Sequence, residues 1–273
     1  MVQGPRQSPR RFFLRDAVAI LPGNRRNLLE RLQRGVALAE GLNLNLEITL
    51  DARFFVEGED ELLTAIAQAT SRFPAVIYHL HSSRDYPLGF NGHTQDLIQY
   101  CLERRAQGAL QGLCIHPDLV TDFEVFLPLV HEDFYVAAEV LDEECGSFNT
   151  LKSIQDLLAR HEYLGLVLDT AHIAGMEPAG EPPLEKYIEM FAERTVEVHI
   201  SQRGNLYDPD EMGPGFHTNH SLLSMGQYEV GLSLGPLATI DNLNMVIEGV
   251  IPAGEYGNRL LKEEVRSFTD FLQ

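Results

Sequence analysis

The stretch LGLVLDTAH, residues 164–172, decides the fold. Apolar and small residues run without interruption from Leu164 to Leu168 and then stop at Asp169, with His172 about one helical turn further on. A parallel strand covered on both faces reads as a continuous apolar run, so an ionisable residue at its last position needs a partner or a purpose. The same pattern returns along the chain. VAAEV (136–140) carries Glu139, VEVH (196–199) ends in His199, and MVIE (245–248) ends in Glu248. Thirty residues separate Glu139 from Asp169, and thirty more separate Asp169 from His199. Consecutive strand–helix units therefore carry their polar residue at the same phase of the repeat.

Working outward, short apolar runs alternate with longer amphipathic segments, a rhythm that implies right-handed crossovers and a parallel sheet. Strands are predicted at 17–21, 44–50, 75–80, 112–115, 135–140, 164–168, 196–200 and 245–247, and eight is the number that closes a barrel. Helical spacing is read at 25–39, 60–70, 94–105, 150–161 and 255–272, several opened by Asn, Asp or Thr near the N-cap. The segment after the fourth strand fits a helix poorly. So does 201–244, which is long, Gly-rich and only weakly helical around 234–241; a connection of that length belongs over an active site. The reading is an α/β protein, one (β/α)₈ barrel domain over residues 1–273, of which 1–15 are a flexible basic arm that carries Arg6, Arg10, Arg11 and Arg15.

Composition narrows the function classes. Forty acidic residues stand against 21 basic ones, a formal net charge of −19. Such a field repels a phosphate backbone, so nucleic acid is not the expected partner. The 44% hydrophobic content is that of an ordinary globular protein with a full core. Cys101, Cys114 and Cys145 are widely spaced and odd in number, which suggests neither a disulfide framework nor a thiolate zinc motif and fits a reducing, cytoplasmic setting. No run is long enough for a membrane span or a signal peptide. The lysines, Lys152, Lys186 and Lys262, all fall on predicted outer helices, so Schiff-base chemistry has no nucleophile at the strand ends. No Gly-rich turn follows a strand as a nicotinamide site requires.

Three carboxylates and one imidazole at one barrel mouth form a ligand set for Mn²⁺, Mg²⁺, Fe²⁺ or Zn²⁺, and their charges are prohibitive together without a cation. Glu139, Asp169, His199 and Glu248 are the expected metal ligands. Further imidazoles sit at matching places: AVIYHLHSS (75–83) puts His79 and His81 at the end of the third strand, and GLCIHPD (112–118) puts His116 after the fourth. His172 follows Asp169, and HTNH (217–220) brings His217 and His220. His81, His116, His172, His217 and His220 are candidates for a second metal, so more than one ion, or for substrate contacts. His79 and His81 share a strand face, which makes one of them a supporting residue.

With these residues in hand, the chain resembles the xylose isomerase-like barrel superfamily, which includes sugar isomerases, epimerases and the endonuclease IV group (AP endonuclease family 2). The segment GLVLDTAHIAG (165–175) is close to that group's Asp-Thr-Cys/Ala-His signature, and the order Glu139, Asp169, His199, Glu248 is similar to its metal set. The resemblance implies a divalent-metal isomerase or epimerase acting on a sugar or sugar phosphate, with Glu139 and Glu248 as acid/base groups. In that reading His172 holds a substrate hydroxyl and Arg203 anchors a distal hydroxyl or phosphate. The alternative is a multinuclear phosphodiesterase of the endonuclease IV kind. Against it, the family's Asn-Asp-Ser-Lys after the seventh-strand histidine is replaced by HISQRG (199–204), and the later Asp-Arg-His by HTNH. The DNA-penetrating loop has no counterpart in ITLDARFFVEGEDE (48–61), where Arg53 stands among acids. A non-catalytic metal-binding barrel is the third reading. The expected partner is a small carbohydrate, and a homo-oligomer is compatible with the chain.

Overall fold

The computed structural model describes residues 11–16, 27–81, 83–208, 210, 218, 220–225 and 235–272. Its strands are β1 Arg11–Arg15, β2 Asn45–Leu50, β3 Val76–Leu80, β4 Leu110–Ile115, β5 Tyr135–Glu139, β6 Gly165–Asp169, β7 Thr195–Ile200, β8 Gln202–Arg203, β9 His220–Ser221 and β10 Asn244–Ile247. β1 to β7 and β10 close into a barrel in the order β1-β10-β7-β6-β5-β4-β3-β2, all pairs parallel. The short strands β8 and β9 pair antiparallel beside it. From residue 44 onward the barrel strands lie where the apolar runs predict them, to within a residue or two at each end.

The helices are α1 Leu28–Leu42, α2 Phe54–Glu57, α3 Asp60–Arg72, α4 Gly92–Ala106, α5 Leu151–Arg160, α6 Thr170–Met176, α7 Leu184–Phe191 and α8 Gly254–Leu272. Four of them start on side-chain caps that satisfy a free backbone N–H, α6 on Asp169 among them. Asn27 accepts from Glu30, Asn91 from Thr94, and Thr150 forms a capping box with Ser153. Spacing of three or four then aims one face inward: Leu32, Val36 and Ala39 on α1, and Leu62, Ile66 and Ala69 on α3. After β4 no α-helix forms; two 3₁₀ segments, Pro117–Leu119 and Phe123–Leu129, take its place, the second carrying Pro128 and burying Phe123, Val125, Phe126 and Leu129. The helical tendency near 234–241 likewise becomes a 3₁₀ turn at Pro236–Thr239. Helices α6 and α7, between the sixth and seventh strands, have no bounds in the sequence reading, which only puts Lys186 of α7 on an outer helix. Among the described residues no helix is long and apolar enough to cross a membrane.

One expectation is corrected. The first barrel strand is Arg11–Arg15, inside the stretch read as a flexible arm, while the predicted strand 17–21 lies outside the described residues. The apolar kernel here is only Phe12, Phe13 and Leu14, flanked by arginines, and the charges disguise it. Alternation explains why it is a strand. Phe12 points outward and stacks on Phe268 of α8 at 6.0 Å between centroids, Phe13 is buried in the barrel, and Arg15 points inward to Glu248.

The barrel interior changes character along each strand. Phe13, Ile77 and Val246 pack together against Tyr135, and Cys114, Ala137 and Val167 form a second apolar group. Side chains two apart share a face, so the inward residue that follows each of these is Arg15, His79, Glu248, His116, Glu139 or Asp169. Every one is polar, and together they form the floor of the mouth. Gly112 belongs to the same design, because a Cβ there would run into the Tyr135 ring. Gly112→Ala is expected to destabilise the fold by about 1–3 kcal/mol through overpacking, read as a lower urea midpoint at unchanged slope; an unchanged midpoint would mean the Tyr135 ring has room to move.

Candidate metal centre

Glu139 closes β5, Asp169 closes β6, His199 lies next to last in β7, and Glu248 follows β10 directly. One ligand atom from each lies within 4.8 Å of all the others. Glu139, Asp169 and His199 are wholly buried and Glu248 is 6% exposed. His199 Nδ1 stands 3.4 Å from Glu139 Oε1 and 3.5 Å from Glu248 Oε2.

Each of the four side chains commits one polar atom to the protein and leaves the other without a hydrogen-bond partner. Asp169 Oδ1 caps α6 by accepting from the His172 backbone N–H at 2.8 Å. His199 donates from Nε2 to Glu197 Oε1 at 2.9 Å. Glu248 Oε1 takes the Arg15 guanidinium, and Glu139 Oε2 accepts from the Cys114 thiol at 3.6 Å. The unpartnered atoms are Glu139 Oε1, Asp169 Oδ2, His199 Nδ1 and Glu248 Oε2. A buried polar atom without a partner costs about 1–3 kcal/mol, and four converging on one point describe the donor set of a cation.

The signature 169–172 can be read physically. Asp169 caps α6, while Thr170 donates to the Ser201 carbonyl at 2.7 Å and accepts from the Ser201 N–H at 3.1 Å, clamping the end of β6 to the end of β7. His172 donates from Nδ1 to the Val140 carbonyl at 3.0 Å, which ties it to the end of β5. This bond makes Nε2 the free nitrogen.

The remaining candidates fall into groups. His116 Nε2 lies 3.2 Å from Glu139 Oε2, with the His81 ring 5.5 Å away in an edge contact. His220 returns on β9, donates or accepts at Ser201 Oγ over 2.9 Å, and its Nδ1 is 4.0 Å from Glu248 Oε2. Asp169, His172 and His220 also offer three ligand atoms within 4.8 Å of one another. His217 lies outside the described residues. Arg203 binds Glu143 at 2.8 Å and crosses Gly175, where a Cβ would meet its guanidinium. Lys152 and Lys186 sit on α5 and α7 in pairs with Asp156 and Glu189.

The sequence reading missed the layer beneath. Glu47, Glu197 and Arg15 are inward-facing and buried. His79 donates from Nδ1 to Glu47 Oε1 at 2.8 Å. Glu47 Oε2 is 3.3 Å from His199 Nε2. Tyr135 donates to Glu197 Oε2 at 2.6 Å and accepts from Asn244 at 3.2 Å. Glu47 and Glu197 each interrupt an apolar run, in NLEITL and TVEVHI, so the signal that marks the strand ends was present for them too.

The electrostatics follow from this crowding. Burial alone would lower His199, but the Glu47 and Glu139 carboxylates outweigh it and hold the imidazole well above its usual range. Burial would raise Glu139, and the His116 and His199 imidazoles hold it well below instead. Glu197 is pushed up to about 7 by burial and by the charge of Glu47, and burial takes His79 down to about 3. Without a metal ion, a proton on His199 supplies the missing positive charge.

No family model matches the chain, and no curated protein matches it either. Solved structures do. A probable 3-DHS dehydratase of petrobactin synthesis from Bacillus anthracis superposes with a TM-score of 0.57 at 12% identity, covering 95% of this chain and 98% of that one. A xylose isomerase domain-containing protein from Salmonella typhimurium gives 0.58 at 15%, with 96% and 97% covered. A xylose isomerase-like TIM barrel protein from Mycobacterium smegmatis, in complex with magnesium, gives 0.50 at 11%, with 97% and 98% covered. The chain has the xylose isomerase-like barrel fold.

Two outcomes follow from this geometry. Glu197→Ala frees His199 Nε2 from its orienting carboxylate and is expected to weaken divalent-ion binding about 10–100-fold, measured by calorimetry on metal-free protein; unchanged affinity would mean His199 is oriented without it. A raised His199 pKa means that the metal-free site holds a proton at neutral pH, and ligation must expel it. Affinity should therefore rise with pH, and the binding enthalpy should change with the ionisation enthalpy of the buffer. Equal enthalpies in two such buffers would show that no proton leaves.

Proposed function

We propose that this chain is a divalent-metal-dependent isomerase or epimerase acting on a sugar or sugar phosphate, with Glu139, Asp169, His199 and Glu248 as metal ligands. The observation that carries the reading is the set of four buried, converging atoms without partners, one on each of these residues. Their chemistry, three carboxylates and one imidazole, suits Mn²⁺, Mg²⁺, Fe²⁺ or Zn²⁺. The Mycobacterium barrel with the same fold is in complex with magnesium, which supports the assignment.

A bound divalent ion supplies polarisation of the adjacent oxygens of a hydroxycarbonyl group and so acidifies the neighbouring C–H. The chain's part is to move that proton. Glu139, at the end of β5, and Glu248, after β10, stand on opposite sides of Asp169 and His199 in strand order, each with an oxygen turned to the centre. They take and return the proton. His172, its Nδ1–H held by Val140, keeps Nε2 for a substrate hydroxyl. Arg203 is a candidate anchor for a distal group, in exchange with Glu143.

One observation favours a second reading. Asp169, His172 and His220 converge beside the quartet and His116 flanks Glu139, an arrangement compatible with the multinuclear phosphodiesterase of endonuclease IV type. The net charge of −19 opposes a nucleic-acid substrate. The readings part on the paired replacement of His172 and His220 by Ala: in the isomerase, metal content stays and turnover falls, whereas the hydrolase loses one metal equivalent.

The direct test uses Glu139→Gln and Glu248→Gln, which keep volume and remove an anionic donor. Each is expected to stay folded by circular dichroism and to lose metal or turnover on a sugar panel. Full metal occupancy with full turnover in either variant removes that residue from the site.

A further inference from the structure

A second donor set reaches from the floor of the mouth down to Cys114, one pleat below it. His79, Cys114, Glu139 and His199 each offer a ligand atom within 4.8 Å of the others, and all four are 0% exposed. His79 precedes His81 by two residues on β3, and Cys114 precedes His116 by two on β4, so both share the inward face at a lower level. Neither takes part in the proposed reaction.

The spacing suits a four-coordinate ion. Bonds of about 2.0–2.3 Å give ligand-to-ligand edges of roughly 3.3–3.8 Å in a tetrahedron. Glu139 Oε2 meets that at two edges, 3.4 Å from His79 Nε2 and 3.6 Å from Cys114 Sγ, and His199 completes the set within 4.8 Å. His79 is also prepared as a ligand. Its Nδ1–H is held by Glu47 at 2.8 Å, which fixes the tautomer that leaves Nε2 bare, the arrangement in which a carboxylate orients a metal-binding histidine. Nε2 has no hydrogen-bond partner and points into the set. Cys101, by contrast, is buried in the main hydrophobic cluster.

We propose that His79, Cys114, Glu139 and His199 form a deeper metal seat, selective for a thiophilic divalent ion such as Zn²⁺ or Co²⁺. The mouth quartet offers three carboxylates and one nitrogen, a hard set; the deep seat offers sulfur, two nitrogens and one carboxylate, a soft one. The two sets share Glu139 and His199, so an ion in one seat strips the other of half its donors. They are therefore alternative positions, and metal identity selects between them: hard ions at the mouth, where substrate reaches, and soft ions below it. Binding moves the Cys114 thiol proton to solvent and forms a metal–thiolate bond, with no change of oxidation state. The proposal rests on the assignment of Glu139 and His199 as ligands and is independent of the reaction catalysed.

The test is Co²⁺ titration of the metal-free full chain, followed by near-ultraviolet and visible absorption. One equivalent is expected to bring a sulfur-to-cobalt charge-transfer band and tetrahedral d–d bands. Cys114→Ala and His79→Ala are expected to lose the charge-transfer band while Cys114→Ala still binds Mn²⁺ by calorimetry, so failure of this seat is distinguishable from failure of the mouth quartet. His116→Ala and Glu248→Gln should keep the band. Cobalt binding without it, its persistence in Cys114→Ala, or its loss in Glu248→Gln overturns the proposal. X-ray absorption on the zinc-loaded wild type needs no variant: one sulfur at about 2.3 Å is expected, and a shell of nitrogen and oxygen alone overturns the seat.

Discussion

Five buried carboxylates on the barrel axis, Glu47, Glu139, Asp169, Glu197 and Glu248, set the terms for everything else in this molecule. Taking one such charge out of water costs several kcal/mol even after relaxation, and Arg15 is the guanidinium that faces them. A TIM barrel interior is ordinarily filled by branched apolar side chains. Here the apolar filling stops one residue pair short of the strand ends, and charge takes its place. The neutralisation comes in stages: Arg15 holds Glu248, hydrogen bonds from Tyr135 and His199 quiet Glu197, and the His79 N–H faces Glu47. What is left is a cluster of lone pairs that requires a cation or a proton.

The scaffold meets that requirement by holding each of the four proposed ligands from behind. Asp169 is fixed by the first turn of α6, His199 by Glu197, Glu248 by Arg15 and Glu139 by Cys114. Because the anchoring atoms sit on the first turn of α6 and on side chains of barrel strands, the free atoms are held toward one another. Such preorganisation is what makes a metal site selective and its ligands poor at finding other partners. It also explains why the residues beneath the mouth matter as much as those at it: a change at Tyr135 or Gly112 reaches His199 through Glu197.

Much of this was legible in the amino-acid order because buried parallel strands cannot hide an ionisable residue. Glu139, Asp169 and Glu248 each close an apolar run, His199 closes one broken only by Glu197, and the thirty-residue interval between three of them reports the repeat of the barrel. The same rule, applied inside runs as well as at their ends, would have found Glu47 and Glu197. Arg15 was harder. Its strand has three apolar residues between arginines, so local charge resembled a terminal arm, and only closure of the barrel between β2 and β10 identifies it as a strand. The role of Cys114 was out of reach for another reason. Its partners are 35, 25 and 85 residues distant in sequence, on His79, Glu139 and His199, and no spacing motif links donors brought together by sheet register alone.

The central claim is that the barrel mouth is a metal centre, and elemental analysis of the protein purified without chelator tests it most directly. The account predicts at least one tightly held divalent ion per chain, removed by prolonged chelation and restored by adding back a divalent salt. Protein that arrives without metal and takes up none from Mn²⁺, Mg²⁺, Fe²⁺ or Zn²⁺, with the barrel folded, would contradict it.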